Sequence, residues 1–192
     1  MRWWVLGMAL LLGACAAPPP VVPVDQAAIE AGALARSGRF ALRVDEISGR
    51  QNAVQGNFAW RDDGKALVLD LTSPVGATLA RVDVSPDGSA LLTEANGTQT
   101  PAASADDLVA RVLGSPIPVR GLRDWLRGYL PEQPAATIIE RDEQGRVQAY
   151  DQSGWRVRVT AYDAIGPVRL DMQRNEPGHG LINVRLVITP AS

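Results

Sequence analysis

The chain has one cysteine and one histidine, and these are the first places to look for covalent chemistry. Cys15 ends the run Leu12-Gly13-Ala14-Cys15, directly after an apolar stretch from Trp3 to Leu12 that is preceded by Arg2. A positive start, a short apolar run and small residues before a cut point are the layout of a secretory signal peptide. A cysteine at the cut point turns this into a lipoprotein signal, with acyl chains attached to its sulfur and then to the new amine. The alternative is an ordinary signal peptide with an incidental cysteine. The apolar run is roughly half of the ~20 residues that a membrane-spanning helix needs. A sole cysteine allows no internal disulfide and no Cys-rich metal site. Acylation would also remove a thiol that is a liability in an oxidising compartment. Ala16 follows, where an Asp is the familiar inner-membrane retention mark, so the outer membrane is favoured.

His179 offers little. It lies in Glu176-Pro177-Gly178-His179-Gly180, which reads as a turn. A catalytic histidine needs a nucleophile and an orienting acid beside it. The acidic pairs Asp62-Asp63, Asp106-Asp107 and Asp142-Glu143 fall at turns or at a helix start, where carboxylates serve backbone structure. There is no G-x-S-x-G, no histidine cluster and no glycine-rich phosphate loop. Nineteen basic residues against 21 acidic give a net charge of −2, which does not suggest nucleic-acid binding. No enzyme, cofactor or metal is expected. What remains for function is apolar surface.

The elements that would present that surface follow from periodicity. Residues 1–14 are the signal peptide. Residues 15–25 carry the acylated cysteine and a tether whose Pro18, Pro19, Pro20 and Pro23 favour extended backbone. Residues 26–192 suit a single domain. Gln26–Arg36, rich in alanine, predicts a first helix. From Phe40 the period becomes two: Phe40, Leu42 and Val44; Phe58 and Trp60; Leu67, Leu69 and Leu71. Alternation of this kind marks strands with one buried face. It resumes after residue 136, through Trp155-Val157-Val159 and Ile182-Val184-Leu186-Ile188, for ten or eleven strands in all. Between the two sets, Ser104–Leu113 has helical spacing, a capping serine and Gly114 to close it. Gly121–Tyr129 predicts a second helix with Leu122, Trp125, Leu126 and Tyr129 on one face, stopped by Pro131.

Strands, two helices, then strands predict an α+β fold: a curved antiparallel sheet of about 11 strands forming an unclosed half-barrel, with the helices as a lid. Such a barrel can enclose an apolar ligand cavity. Trp60, Trp125 and Trp155 serve equally well as cavity wall or as filled core. The turn Ser73-Pro74-Val75-Gly76 places an apolar residue between two turn formers. Val75 either protrudes or folds back onto the core.

Leu71-Thr72-Ser73-Pro74-Val75-Gly76, and Leu113-Gly114-Ser115-Pro116-Ile117-Pro118 running on to Leu122-Arg123-Asp124-Trp125-Leu126, resemble the LolB family of outer-membrane lipoprotein receptors. The likeness covers nearly all of the chain after the signal peptide and includes the positions of Trp60, Trp125 and Trp155. It implies the LolA/LolB-like half-barrel. It also implies a monomer that accepts lipoprotein cargo from the soluble periplasmic carrier LolA, and inserts it among outer-membrane phospholipids with no nucleotide consumed. Phe40, Leu42, Phe58, Trp60, Leu69, Leu71, Trp125, Leu126, Trp155 and Val157 are the expected acyl-chain wall, with Trp125 the first contact and the second helix shifting to admit chains. Pro74, Val75 and Gly76 are the expected membrane-insertion loop, where the family carries a leucine at the place of Val75. Two further readings stay open beside this one: an envelope lipoprotein that binds or senses another lipid, and an envelope hydrolase.

Overall fold

The computed structural model describes residues 32–191. The signal peptide, Cys15, the tether and the first part of the helix expected over Gln26–Arg36 lie outside those residues. Within them the alternating segments form eleven strands: β1 (Leu34–Glu46), β2 (Gln51–Asp62), β3 (Leu67–Thr72), β4 (Thr78–Val84), β5 (Ala90–Glu94), β6 (Gln99–Ala102), β7 (Thr137–Arg141), β8 (Val147–Gln152), β9 (Trp155–Tyr162), β10 (Pro167–Glu176) and β11 (Gly180–Ile188). All pairings are antiparallel, in the order β6-β5-β4-β3-β2-β1-β11-β10-β9-β8-β7. The sheet does not close, so β6 and β7 are its two free edges. This is the half-barrel that the periodicity predicts.

The topology explains where the helices must go. The chain starts in the middle of the sheet, meanders out to the β6 edge, and must then reach the opposite edge to begin β7. That connection crosses the face on which the apolar residues lie. It carries α1 (Ala105–Leu113) and α2 (Val119–Trp125). α1 is capped as its sequence dictates. Ser104 Oγ accepts from the Asp107 backbone N–H, and Gly114 ends the helix in the left-handed region at φ 72°. Its buried residues, Ala105, Leu108 and Val109, pack toward β4, β5 and β6.

Two expectations need correction, and one strand was not foreseen. Residues 34–36 are strand, not helix: Leu34, Ala35 and Arg36 pair with Asp62, Arg61 and Trp60 across β2. Arg36 occupies an inward position that would ordinarily be apolar, which hides the alternation at that end. α2 runs Val119–Trp125 rather than Gly121–Tyr129. Gly128, at φ 77°, reverses the chain, and Tyr129 is left exposed instead of on a buried face. The short β6 was not legible, since Pro101 within it argues against strand except at an edge, which is where it lies.

Candidate apolar binding cavity

One row of inward side chains on each central strand makes a continuous apolar wall. Phe40 and Leu42 come from β1, Phe58 and Trp60 from β2, Leu69 and Leu71 from β3, and Val184 and Leu186 from β11. They are neighbours by register: Leu42 faces Val184 and Phe40 faces Leu186, while Phe58 and Trp60 face Leu71 and Leu69. Phe40 lies opposite Gly56 on β2, and a side chain there would run into the phenyl ring, so the glycine leaves room for the aromatic wall. The helical crossover supplies the roof: Val109 and Leu113 from α1, Val119 and Leu122 from α2, with Ile117 and Leu126 on either side of α2. Together these residues line a narrow, partly open cavity of about 50 Å³, and no polar atom of the described residues is exposed in it. That is space for a few water molecules at ~10–15 Å³ of probe volume each. A long acyl chain does not fit in this arrangement.

Seven of the ten residues expected in the wall meet here. Trp125, Trp155 and Val157 do not line this cavity. All three are buried, and Trp155 borders a second groove with Pro116, Pro118 and Gln152. Trp125 is held by a specific bond. Its indole N–H donates to Gln152 Oε1 at 2.7 Å, and its ring meets Tyr150 edge-on at 5.6 Å. The Gln152 amide in turn donates to the carbonyls of Pro131 and Pro134. The end of α2, with Trp125, is thus fixed to the sheet. By contrast the N–H of Trp60, buried in the cavity wall, has no partner among the described residues.

The polar groups that matter are structural and sit at one end of the barrel. Asp62 occupies the inward position after Phe58 and Trp60. Its buried carboxylate accepts from Arg123 Nε and Nη2, both at 2.7 Å, and from Arg127 Nη2 at 3.0 Å. Burial alone would push this carboxyl up. The bonds from Arg123, the Gly64 backbone and Arg127 outweigh it and hold the group below the ordinary carboxylate range. Arg36, with 2% of its side chain exposed, makes a two-point pair with Asp163 at 2.6 and 2.9 Å. That pair, with backbone N–H groups from Ala191, Gly166 and Ile165, holds Asp163 well below its usual range. Both carboxylates are legible only in part: each charged residue falls on an inward parity position, but the partner comes from a distant segment.

Among the described residues Val75 is the most exposed large apolar one, at 91%, in the β3–β4 hairpin. Pro74 and Gly76 flank it in the turn, which is closed by bonds from the backbone N–H groups of Ser73 and Gly76. His179 lies exposed in the β10–β11 turn.

An unclosed antiparallel barrel with an apolar interior, roofed by two helices between its free edges, is the LolA/LolB-like architecture. The chain belongs to the LolB family: the family model described as outer membrane lipoprotein LolB matches residues 33–190. It is 46% identical over 187 residues to the outer-membrane lipoprotein LolB of Bordetella petrii, covering 97% of this chain and 91% of that one. The LolB of Bordetella pertussis is 50% identical over 182 residues, covering 95% and 88%. That of Cupriavidus necator is 42% identical over 191 residues, covering 96% and 93%.

Proposed function

We propose that this protein is a lipoprotein receptor of the outer membrane. It is anchored through acylated Cys15, faces the periplasm, and acts as a monomer. It takes lipoproteins from the carrier LolA, holds their acyl chains against the wall formed by Phe40, Leu42, Phe58, Trp60, Leu69, Leu71 and Leu126, and passes them to membrane phospholipid. The observation that carries this reading is an interior lined wholly by apolar atoms and roofed by a crossover, in a chain of this family. Acyl chains need apolar walls and shape, not polar partners, and each buried methylene contributes about 0.8 kcal/mol. The reading is of a binding and transfer protein and not of an enzyme.

Because the cavity is smaller than a chain, loading requires the roof to move. Transfer then follows a ladder of affinities in which each 1.4 kcal/mol is worth about tenfold. The protein must hold chains more tightly than the carrier does, and the bilayer more tightly still. The Pro-rich tether keeps the cavity near the membrane and raises its effective concentration there. Val75, at the hairpin tip, is the residue placed to enter lipid. Val75→Glu is expected to leave cargo acceptance intact and to impair insertion, since a charge is costly in hydrocarbon. Insertion at the wild-type rate by that variant would remove the loop from the mechanism.

The direct test is transfer. Carrier loaded with labelled lipoprotein is mixed with this protein and then with outer-membrane vesicles. Movement of label from carrier to receptor to vesicle is expected. Label that stays on the carrier overturns the reading, and binding of free phospholipid without cargo transfer favours the lipid-sensing alternative.

A further inference from the structure

We infer that acyl chains enter the interior through one portal, at the rim between the β1–β2 hairpin and the C-terminal end of α1, with Leu113 as the side chain that closes it. The inference rests on the receptor reading above and adds the route. A groove of about 790 Å³ lies at that rim, bordered by Val54, Leu113 and Ile182 on its apolar side and by Glu46, Glu176 and His179 on its polar side. Leu113 is shared: it borders this groove on one side and the cavity on the other. The groove wall also continues the cavity wall along the strands. Val44 and Ile182, which pair across β1 and β11, are the next inward pair after Leu42 and Val184, and Val54 pairs with Leu42 on β2. One apolar face therefore runs from the interior to the rim, interrupted only by the roof.

The fastenings of the roof agree with this. Its far end is tied to both halves of the sheet, through Arg123 and Arg127 to Asp62 on β2 and through Trp125 to Gln152 on β8. Among the described residues, no hydrogen bond ties residues 114–118 to any strand. This segment begins at left-handed Gly114 and holds two prolines, so it follows Leu113 as a strap without a sheet partner. The hairpin topology places the rim at the same end of the barrel as Val75. Its outer lip carries Ile47, 74% exposed and second only to Val75 among the large apolar side chains of the described residues.

Other grooves also share a residue with the cavity, at Val119 and at Val184, and one of about 470 Å³ that touches it at Ile117, on the same strap, is the rival route to be separated from the portal. Asp106, Arg120, Asp124 and Arg174 border it. Glu46 and Glu176 border the proposed portal as well, so charge does not separate the two routes; what favours the portal is the apolar strand wall that runs into it from the cavity through Leu42, Val44, Val184 and Ile182.

The test uses a lipopeptide with three ³H-labelled palmitoyl chains on its N-terminal cysteine. A photo-crosslinking benzoylphenylalanine is placed at Ala110 or Ala53 in the proposed portal, or at Arg120 in the rival groove. Interior occupancy is read separately as the part of the tryptophan quenching, by the same lipopeptide with brominated chains, that Trp60→Phe abolishes. Interior quenching with label captured at Ala110 and Ala53, and not at Arg120, is the expected result. Interior quenching with capture at Arg120 alone overturns the portal and leaves the receptor reading standing. Absence of interior quenching overturns both. Leu113→Ala should also load severalfold faster, and an unchanged rate overturns the role of Leu113 as the closing side chain.

Discussion

The two buried tryptophans that differ most in bonding make opposite predictions at the residue scale. Trp125→Phe leaves Gln152 Oε1 buried without its donor, whereas Trp60→Phe removes a donor that has no partner. Both lose similar volume, so urea denaturation should find the Trp125 variant less stable by about 1–3 kcal/mol. Equal stabilities would mean that the Gln152 bond fastens nothing. The buried carboxylates set the acid limit of the fold. Asp62 and Asp163 both have native pKa values held below the unfolded value. Their contribution is therefore fully present above the ordinary carboxylate range, near pH 4, and is lost as pH falls through that range and below it. Denaturation midpoints should fall on acidification from about pH 5 downward, and less steeply in Asp163→Asn, which is less stable at neutral pH because Arg36 is left buried and unpaired. An acid slope unchanged in that variant would contradict the assignment. At this scale the sequence was half legible. The inward apolar residues could be read from alternation alone, but Trp125 and Trp60 look alike until Gln152, 27 residues away from Trp125, is seen beside one of them.

At the scale of elements, the β1–β11 seam joins the two meanders, and Gly38 sits in it opposite Ile188. An added Cβ at Gly38 would lie 2.2 Å from the Val187 carbonyl oxygen, which is backbone and cannot swing aside. Gly38→Ala should therefore force the seam apart and cost about 1–3 kcal/mol, as overpacking does. A melting temperature equal to that of the wild type would show the seam to be slack. Strands and the capped α1 were readable from the period of two, the turn residues and the Ser104–Gly114 pair of caps, because these are local signals. The start of β1 and the length of α2 were not. Arg36 breaks the inward pattern for the sake of Asp163, 127 residues on, and the end of α2 is decided by the left-handed Gly128 and by bonds to Asp62 and Gln152. Long-range partners override local preference at both places.

For the whole molecule, the half-barrel follows from the count of strands and the single helical interruption, and the order of strands then obliges the helices to cross the apolar face. The apolar wall was legible because alternation names the inward side chains. The state of the interior was not: the same pattern serves a filled core and a hollow one. The structure gives a small, partly open cavity with a wholly apolar lining, and this cavity must widen to receive acyl chains. The most direct measurement is fluorescence quenching by a lipopeptide carrying brominated acyl chains, because bromine quenches only at contact and Trp60 is the tryptophan in the wall. The account predicts that the wild-type protein loses part of its emission on loading and that Trp60→Phe, with Trp125 and Trp155 intact, loses almost none. Bound lipopeptide that leaves wild-type emission unchanged, or quenches Trp60→Phe just as strongly, would contradict it.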